Sequence, residues 1–340
     1  MFAIRHLHID PGLVLAPMEG VTDLSFRRLV RSIGAVGLTV TEFIPGRSLA
    51  EGHKNALKMA EFDPDERPVS VQVYGRDPAV LADAARYVEQ ELGADIVDLN
   101  MGCPSKKVCK NSGGSALMRE PELAQQIVKA MRAAVSIPFT VKMRAGWDAS
   151  LRNAPEIAAM CEGEGAEMVA VHWRTRADLY KGERDLSIIR RVKEAVRIPV
   201  LANGDIVDED SAMNTLAETG CDGLMIGRGA IRDPWVFKKI VARQQGLSDL
   251  TVDLAERKRV LVEFYGVLER TSRTEKGALG RMKKIGRYFT EGVPRGDELR
   301  QAIFHAQAVQ EVFDRIAEHF AQLDREDTPP LEAGSQPTAA

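Results

Sequence analysis

The feature that most constrains the fold is an eightfold alternation of short β-branched runs with longer amphipathic stretches. The runs are LVLAPM (13–18), LTVTEF (38–43), VSVQVYG (69–75), IVDLNMG (96–102), FTVKMR (139–144), MVAVHW (168–173), PVLANG (199–204) and GLMIGR (223–228). The helical patterns between them include 23–33, 78–92, 121–135, 186–196 and 208–220. Strands separated by helices pair in parallel through crossovers. Eight such units in about 240 residues predict an α/β protein with a (β/α)₈ TIM barrel.

The alternative is an open, doubly wound sheet. That fold usually begins with a Gly-rich turn after its first strand, whereas here the first strand runs into APMEGV (16–21). The 340 residues, 44% hydrophobic and 28% charged, suit a globular protein with one large and one small domain. No apolar run reaches the roughly 18 residues of a membrane span. The N-terminal MFAIRHLHID lacks the apolar region of a signal peptide. We therefore expect a cytoplasmic protein with no membrane partner.

The strand pattern stops before the last quarter of the chain. Three stretches, 254–270, 277–292 and 298–320, have the apolar periodicity of helices and predict a small all-α bundle. The segment 324–340 is polar and rich in Pro, Gly and Ala, which predicts a disordered tail. The predicted organisation is thus a barrel domain over 1–243, a helical domain over 252–323 and a tail.

Polar residues interrupt nearly every predicted strand near its C-terminal end, where TIM barrels carry their chemistry. The polar ones are Glu42, Gln72, Asn100, Cys103, Lys142, Arg144, His172, Asn203, Asp205 and Arg228, and Pro17, Met18 and Gly227 stand at the same strand ends. Any one of them alone could be a satisfied core residue. A barrel used only as a scaffold has no need of the whole ring, so the ring predicts a ligand site.

Two glycine-containing turns, NGD (203–205) and GRG (227–229), follow adjacent strands seven and eight. Glycine lets backbone N–H groups approach an anion, and Arg228 adds a charged donor. A single GRG is more often a simple turn, but two such turns side by side favour a phosphate site. Lys142 and Gln72 could then reach a flavin ring, or Lys142 could form an internal ion pair with Asp98 or Glu42.

The segment DLNMGCPSKKVCKNSGGSALM (98–118) is the most specific feature of the chain. Cys103 lies between Gly102 and Pro104 just beyond a strand end, where a thiol can act as a proton donor or nucleophile. Cys161 and Cys221 fit the usual role of small buried hydrophobes. The four cysteines have no metal-binding spacing, so we expect free thiols and no metal.

A series of motifs resembles the bacterial tRNA-dihydrouridine synthase family. The matching segments are LAPMEGVTD (15–23), TEF (41–43), VQVYG (71–75), DLNMGCPSKKV (98–108), VKMRAGWD (141–148), VHWRTR (171–176), ANGDI (202–206) and DGLMIGRG (222–229). They occur in order across the barrel, and the helical segment is more loosely similar to that family's tRNA-binding domain. The GCPS and VHxRTR elements carry most of the specificity.

The resemblance implies FMN-dependent reduction of the C5–C6 bond of tRNA uridines, with NADPH as the reductant. By motif position, Cys103 would be the general acid that protonates C5. The residues implied to hold FMN are Pro17, Met18, Gln72, Lys142, His172, Asn203, Asp205, Gly227 and Arg228. Asn100, Arg144 and Tyr180 would recognise a uracil that has left its stack. Hydride addition at C6 leaves negative charge at C5 and O4, which a positioned acid and a cation stabilise.

A basic helical segment would supply the contact with tRNA. Residues 270–300 contain nine Lys or Arg and four Asp or Glu, in a chain with a net charge of −3. The implied tRNA-binding residues are Arg281, Lys283, Lys284 and Arg287; the alternative is an ordinary solvated helix face. Two departures from the family pattern are Trp173, where a small residue is usual, and RMKKIGRYF (281–289). We expect a monomer.

Two rival functions differ in substrate or in chemistry. One is an FMN barrel of the dihydroorotate dehydrogenase kind that acts on a free pyrimidine, which would not need a basic helical domain. The other is a non-catalytic RNA-binding barrel, against which the presence of both Cys103 and Lys142 argues.

Overall fold

The computed structural model describes residues 1–110, 113–247 and 250–326, without the side chain of residue 326. The chain divides into two compact units, Met1–Leu250 and the part from Thr251 onward. The boundary falls between the two domains predicted at 1–243 and 252–323. Within the described residues, no helix is long and apolar enough to cross a membrane.

The first unit is built on a closed parallel barrel. Its described strands are β1 (Phe2–Ile4), β2 (Leu7–Ile9), β3 (Leu13–Leu15), β4 (Leu38–Val40), β5 (Ile44–Pro45), β6 (Val69–Tyr74), β7 (Ile96–Met101), β8 (Phe139–Arg144), β9 (Val169–His172), β10 (Val200–Asn203) and β11 (Gly223–Ile226). Eight of these close the ring in the order β3-β4-β6-β7-β8-β9-β10-β11-β3, and β5 adds a short pairing to the end of β6. The predicted (β/α)₈ barrel is confirmed, and each predicted run contains one strand of the ring.

Helices surround this barrel. Those described in the first unit are α1 (Leu24–Ile33), α2 (Gly46–Ala50), α3 (Lys54–Ala60), α4 (Pro78–Gln90), α5 (Lys106–Lys110), α6 (Pro121–Ala134), α7 (Ala154–Gly163), α8 (Ser187–Ala195), α9 (Glu209–Thr219), α10 (Arg228–Arg232) and α11 (Val236–Gln244), with 3₁₀ turns at Pro64–Glu66 and Gly114–Arg119. Local signals explain several boundaries. Asp23 and Asp208 cap α1 and α9 by accepting backbone N–H bonds, and Gly220 ends α9 in the left-handed conformation.

The interior of the barrel has two layers of different chemistry. At the N-terminal ends of the strands, Ile96, Met168 and Leu201 form an apolar layer. The β1–β2 hairpin, which the sequence analysis did not predict, packs Phe2 and Ile4 against that layer. Because inward-facing residues alternate along a strand, the same strand faces continue upward with polar side chains. The barrel interior is therefore closed by apolar packing at the N-terminal ends of the strands and lined with polar side chains at their C-terminal ends.

The upper layer, here called the polar layer, lies at the C-terminal ends of the strands. Register pairs show that its members face the same way: Gln72 pairs with Asp98, Asn100 with Lys142, and Arg144 with His172, which in turn pairs with Asn203. All are buried except His172, which is partly exposed yet largely enclosed by protein atoms.

The second unit is helical. Within its described residues it contains α12 (Leu254–Thr271), α13 (Glu275–Phe289), α14 (Gly296–His305) and α15 (Val309–Glu326). The predicted third helix over 298–320 is wrong as a single helix, because the chain leaves helical geometry at Ala306. The N–H of Gln307 then donates to Glu311 as the next helix begins. α15 extends three residues into the segment predicted as a tail, and the rest of that segment lies outside the described residues.

Candidate active site

A chain of hydrogen bonds links the polar layer to the loop that carries Cys103. Gln72 Nε2 donates to Asp98 Oδ2 at 2.6 Å, and Asn100 Nδ2 donates to Gln72 Oε1 at 2.7 Å. Asn100 Oδ1 accepts the backbone N–H groups of Gly102 at 3.1 Å and Cys103 at 2.9 Å. Burial raises the pKa of Asp98 to about 6, against the lowering effect of its hydrogen bonds. The backbone position of Cys103 is thus fixed from inside the barrel.

The Cys103 side chain is nearly enclosed, with 8% of the residue exposed. Burial raises the pKa of its thiol, while the N–H of Ser105 and the charge of Arg144 act in the opposite direction. At neutral pH the group is therefore a protonated thiol. That form can give a proton, whereas a thiolate would be needed for nucleophilic attack.

Two neighbours secure the Cys103 carbonyl. Ser115 donates to Cys103 O from its hydroxyl at 2.8 Å and from its backbone N–H at 3.1 Å. The thiol of Cys109 lies 3.5 Å from the same oxygen and 3.5 Å from Ser115 Oγ. Cys109 is half-buried, and its sulfur contacts the backbone carbonyl of Cys103 and the Ser115 hydroxyl. The structure therefore gives the two thiols different environments.

Arg144 is held beside Cys103 by backbone carbonyls. Its Nε donates to Gly102 O at 2.9 Å, and its Nη1 donates to Thr175 O at 2.7 Å and to Leu179 O at 2.9 Å. Burial lowers the pKa of this guanidinium to about 10, so it remains a cation at neutral pH. A fixed cation next to a protonated thiol suits a reaction in which negative charge develops on the substrate.

Lys142 is a buried cation whose Nζ donates to Asn203 Oδ1 at 2.9 Å. Asn203 in turn donates from Nδ2 to Met225 O at 2.7 Å, which fixes its orientation. Burial, followed by repulsion from Arg144, lowers the pKa of Lys142 to about 8. The described residues form an amide contact here and not the ion pair with Asp98 or Glu42 considered above.

His172 is neutral in this layer. Burial, followed by the charges of Arg144 and Lys142, lowers its pKa well below the ordinary value. Its Nδ1 accepts the backbone N–H of Arg174 at 3.1 Å. The ring proton of the neutral form therefore resides on Nε2, which can serve as a hydrogen-bond donor.

The turns predicted to bind phosphate contain a carboxylate between two arginines. Asp205 Oδ1 accepts from Arg228 Nη2 at 2.7 Å, and Asp205 Oδ2 accepts from Arg174 Nη2 at 2.7 Å. A Cβ on Gly204, which has a φ of +114°, would lie 2.7 Å from Trp173 Nε1. A Cβ on Gly227 would lie 3.5 Å from Met18 Sδ. Gly204 is therefore required by its backbone conformation and by the close approach of the Trp173 indole, whereas a Cβ at Gly227 would make only an ordinary van der Waals contact.

Two further predicted residues frame the barrel mouth. Met18, next to Pro17, donates its N–H to Thr22 Oγ1 at 2.9 Å, which closes the turn after β3. Tyr180 is 59% exposed, and its ring lies 5.9 Å from the Arg144 guanidinium carbon and 5.2 Å from that of Arg228. Tyr180 thus lies at the mouth of the barrel, between the guanidinium groups of Arg144 and Arg228.

The unusual Trp173 does not project into the mouth. Its side chain is 1% exposed and lies under the guanidinium of Arg174 at 4.0 Å. The indole Nε1 and Arg174 Nη1 are both buried without a hydrogen-bond partner among the described residues. The bulk of Trp173 is accommodated behind the Gly204 turn.

In the second unit, α13 has an apolar side and a basic side. Met282, Ile285 and Phe289 are buried, whereas Lys284 and Arg287 are exposed. Lys283 Nζ lies 5.9 Å from the ring of Phe304, a residue that is 62% exposed. Arg281 lies at the edge of this side, where Nη1 donates to Thr271 Oγ1 at 3.1 Å. The helical periodicity thus places Lys283, Lys284 and Arg287 on one surface, here called the basic face of α13.

Comparison with known sequences shows where this architecture belongs. The sequence profile described as dihydrouridine synthase matches residues 14–324. The chain belongs to the dihydrouridine synthase family.

Two relatives within this family match over nearly their full length. The chain is 41% identical over 316 residues to tRNA-dihydrouridine synthase B of Pseudomonas syringae pv. tomato, covering 92% of this chain and 93% of that one. It is 39% identical over 325 residues to a probable tRNA-dihydrouridine synthase of Rickettsia conorii, covering 95% and 97%. A solved 2-naphthoyl-CoA reductase is similar in structure, with a TM-score of 0.56, 15% identity, and coverage of 72% of this chain and 52% of that chain. That last likeness concerns the fold alone.

Several site residues of this dihydrouridine synthase family member were not singled out from the sequence. Asp98 was considered only as a partner of Lys142, yet it starts the hydrogen-bond chain to Cys103. Arg174 was part of a quoted motif without a role, and it pairs with Asp205. The alternation of side chains along a strand could have revealed Asp98, because it lies two residues before Asn100 and therefore on the same face. No sequence pattern pairs Arg174 with Asp205, because they follow different strands.

Proposed function

We propose that this protein reduces selected uridines of tRNA to 5,6-dihydrouridine, using FMN and NADPH, with Cys103 as the general acid. The observation that carries the proposal is the placement of a protonated thiol beside a fixed cation at the barrel mouth. Arg144 donates to the carbonyl of Gly102, the residue just before Cys103. The names of the family relatives support the tRNA substrate.

The residues at the mouth fit an anionic, planar cofactor. Lys142 is a buried cation that contacts an amide, and Arg174 Nη1 is a buried donor without a partner among the described residues. An acceptor-rich phosphate or ring would satisfy such donors. The residues that would hold FMN are Pro17, Met18, Gln72, Lys142, His172, Asn203, Asp205, Gly227 and Arg228. The bound flavin, reduced by NADPH, would supply the hydride that adds to uracil C6.

The protein's own groups supply the second hydrogen and stabilise the charge. Addition of hydride at C6 breaks the C5–C6 double bond and places an electron pair on C5, conjugated to O4. The Cys103 thiol donates its proton to C5, and the thiolate then takes a proton from solvent. Arg144 stabilises the intermediate charge. Asn100, Arg144 and Tyr180 orient the uracil, and the hydrogen bonds of Asn100 also hold the Cys103 loop in place.

The basic face of α13, together with Arg281, supplies the affinity for tRNA in this proposal. Exposed lysines and arginines on one helix side contact phosphates without reading sequence. Phe304 next to Lys283 adds an exposed aromatic ring on which an unpaired base could stack. A small free pyrimidine would use neither feature.

The test is a reconstituted reaction. Purified protein with FMN and NADPH is incubated with an unmodified tRNA transcript, and in parallel with uridine and orotate. We expect uridines in the transcript to gain two hydrogens, as detected by mass spectrometry, and the free pyrimidines to react far more slowly. Equal or better reduction of a free pyrimidine, or a protein that binds no flavin, would overturn the proposal.

A further inference from the structure

Outside the residues assigned so far, two arginines of the barrel unit gather on one indole ring. The guanidinium carbon of Arg119 lies 4.5 Å from the centroid of the Trp147 ring, and that of Arg176 lies 4.6 Å from it. Each of the three residues comes from a different loop: the loops after β7, β8 and β9. Such contacts between guanidinium groups and an aromatic face are attractive and hold the cations in a defined orientation. We call this group the rim arginine cluster.

Backbone hydrogen bonds bring the three loops together. The N–H of Arg176 donates to Gly146 O and that of Ala177 donates to Trp147 O, both at 2.9 Å. Asn153 Nδ2 donates to Met118 O at 2.9 Å, which anchors the turn that ends at Arg119. Gly146 is required at its position, because a Cβ there would lie 1.9 Å from Leu151 O. The cluster is therefore built by the fold and does not depend on flexible side chains meeting by chance.

The two guanidinium groups of the cluster have no ion-pair partner within the described part of the chain. Neither Arg119 nor Arg176 forms an ion pair with a described carboxylate, and Arg176 Nε is buried without a partner there. The neighbouring Asp148 Oδ1 accepts from Ser150 Oγ at 2.6 Å and from the N–H of Leu151 at 3.1 Å, and its negative charge attracts Arg119 without forming an ion pair. Since both cations lie within about 5 Å of one ring, they are less than about 10 Å apart, a distance comparable with the screening length at 0.1 M salt.

Another arginine of the barrel that stacks on an aromatic ring is neutralised by a carboxylate. Arg67 also stacks on an aromatic ring, Phe62, at 5.3 Å, but it is paired with Asp95 at 2.6 Å. That pair lies before β6, at the end of the barrel opposite the polar layer. Arg119 and Arg176, which have no ion-pair partner among the described residues, follow the C-terminal ends of their strands instead, and the Trp147 ring that they share lies three residues beyond Arg144. Two planar donors fixed in place with free N–H edges match a phosphate group.

We propose that the rim arginine cluster binds a backbone phosphodiester of the RNA strand whose uridine enters the barrel mouth. The inference rests on the proposed function and adds a second phosphate contact surface, on the catalytic unit itself. Its position beside Arg144 suits a strand whose base is inserted while its backbone stays at the rim. A phosphate of NADPH has the same chemistry, so the experiment must separate the two sources.

The test compares the holoenzyme with Arg119→Gln and Arg119→Gln/Arg176→Gln variants. We expect the Kd for tRNA to rise about tenfold or more in the double variant, as for loss of charge-assisted hydrogen bonds. The slope of log Kd against log salt concentration should fall by about 1 to 2. Each lost phosphate contact means that about one fewer counterion is released from the RNA on binding. The flavin content and the KM for NADPH should not change. Arg119→Gln is a useful single variant, because that side chain makes no described hydrogen bond whose loss would disturb the fold.

Arg86→Gln is the matched control, since it removes the same charge from the outer surface of α4, where Arg86 pairs with Asp83. A double variant with unchanged tRNA affinity and salt slope, or one whose only defect is a higher KM for NADPH, would overturn the inference. Failure of the proposed function is a different result. In that case the wild-type protein itself would make no dihydrouridine, whatever the arginine variants bind.

Discussion

The buried polar layer of the barrel and the basic face of α13 carry similar charged groups in opposite surroundings. Burial lowers the pKa of Lys142 to about 8 and that of Arg144 to about 10, whereas Lys284 and Arg287 are exposed. Desolvation brings the pKa values of the buried cations closer to neutral pH and strengthens their electrostatic interactions at short range. Exposure makes the surface cations sensitive to salt. We therefore expect changes in the polar layer to affect chemistry and changes on the basic face to affect binding.

The largest expected effect is at Cys103. Cys103→Ala should bind FMN, be reduced by NADPH and bind tRNA normally, but oxidation of the reduced enzyme by tRNA should slow by about 10²–10⁴-fold for lack of the acid. Single-turnover mixing of reduced enzyme with unmodified tRNA measures this rate. Cys109→Ala is the matched control and should be close to wild type, because that thiol interacts with the back of the loop. If Cys109→Ala were the slower variant, the acid would be assigned to the wrong thiol.

The next effect should separate binding from chemistry. Replacing Lys283, Lys284 and Arg287 by Ala should weaken tRNA affinity on the order of tenfold to a hundredfold and lower the salt slope by about 2. The rate of flavin reduction by NADPH should not change. Filter binding across a salt series, with stopped-flow reduction as the control, makes the comparison. An unchanged slope would mean that the basic face is only a solvated helix surface.

A smaller effect should follow the charge of Lys142. Because its pKa lies at about 8, well below the ordinary lysine value, the group loses its proton as pH rises through 8. We expect kcat/KM to decline by up to about tenfold per unit above that pH. In Lys142→Met, measured at saturating FMN, this alkaline decline should be absent and the rate uniformly lower. A decline that persists in the variant would assign it to another group.

The smallest expected effect concerns stability and Asp98. Its folded pKa of about 6 lies above the unfolded value, so the folded state favours the protonated carboxyl. The resulting stability is present at low pH and is lost as pH rises through 6, by an amount on the order of 3 kcal/mol in total. The difference in free energy of unfolding between wild type and Asp98→Asn, measured at pH 5 and pH 8, should change in that direction. A pH-independent difference would contradict the assignment.

Much of the barrel was predictable because its strands and helices repeat a local pattern. The runs at 96–102 and 139–144 have the β-branched composition of buried strands, and their polar members fall at the C-terminal ends. The hairpin at Phe2–Ile9 was not predicted, since three-residue strands without a marked turn signal resemble loop. The end of α14 at Ala306 was also missed, because the apolar periodicity continues across this residue although its backbone is not helical.

The sequence by itself determined the order of the eight ring strands and of the helices between them, the face on which each polar residue lies and the position of Cys103 beyond a strand end. These follow from backbone periodicity, which is local. Only the tertiary structure decided that Asp205 lies between Arg174 and Arg228, that Asn100 holds the Cys103 loop and that Arg119 meets Arg176 on Trp147. The contacts of Asp205 and of Arg119 join loops from different strands, whereas Asn100 holds the loop that follows its own strand. Closure of the barrel sets which loops become neighbours, and the side chains there pair according to charge and available donors.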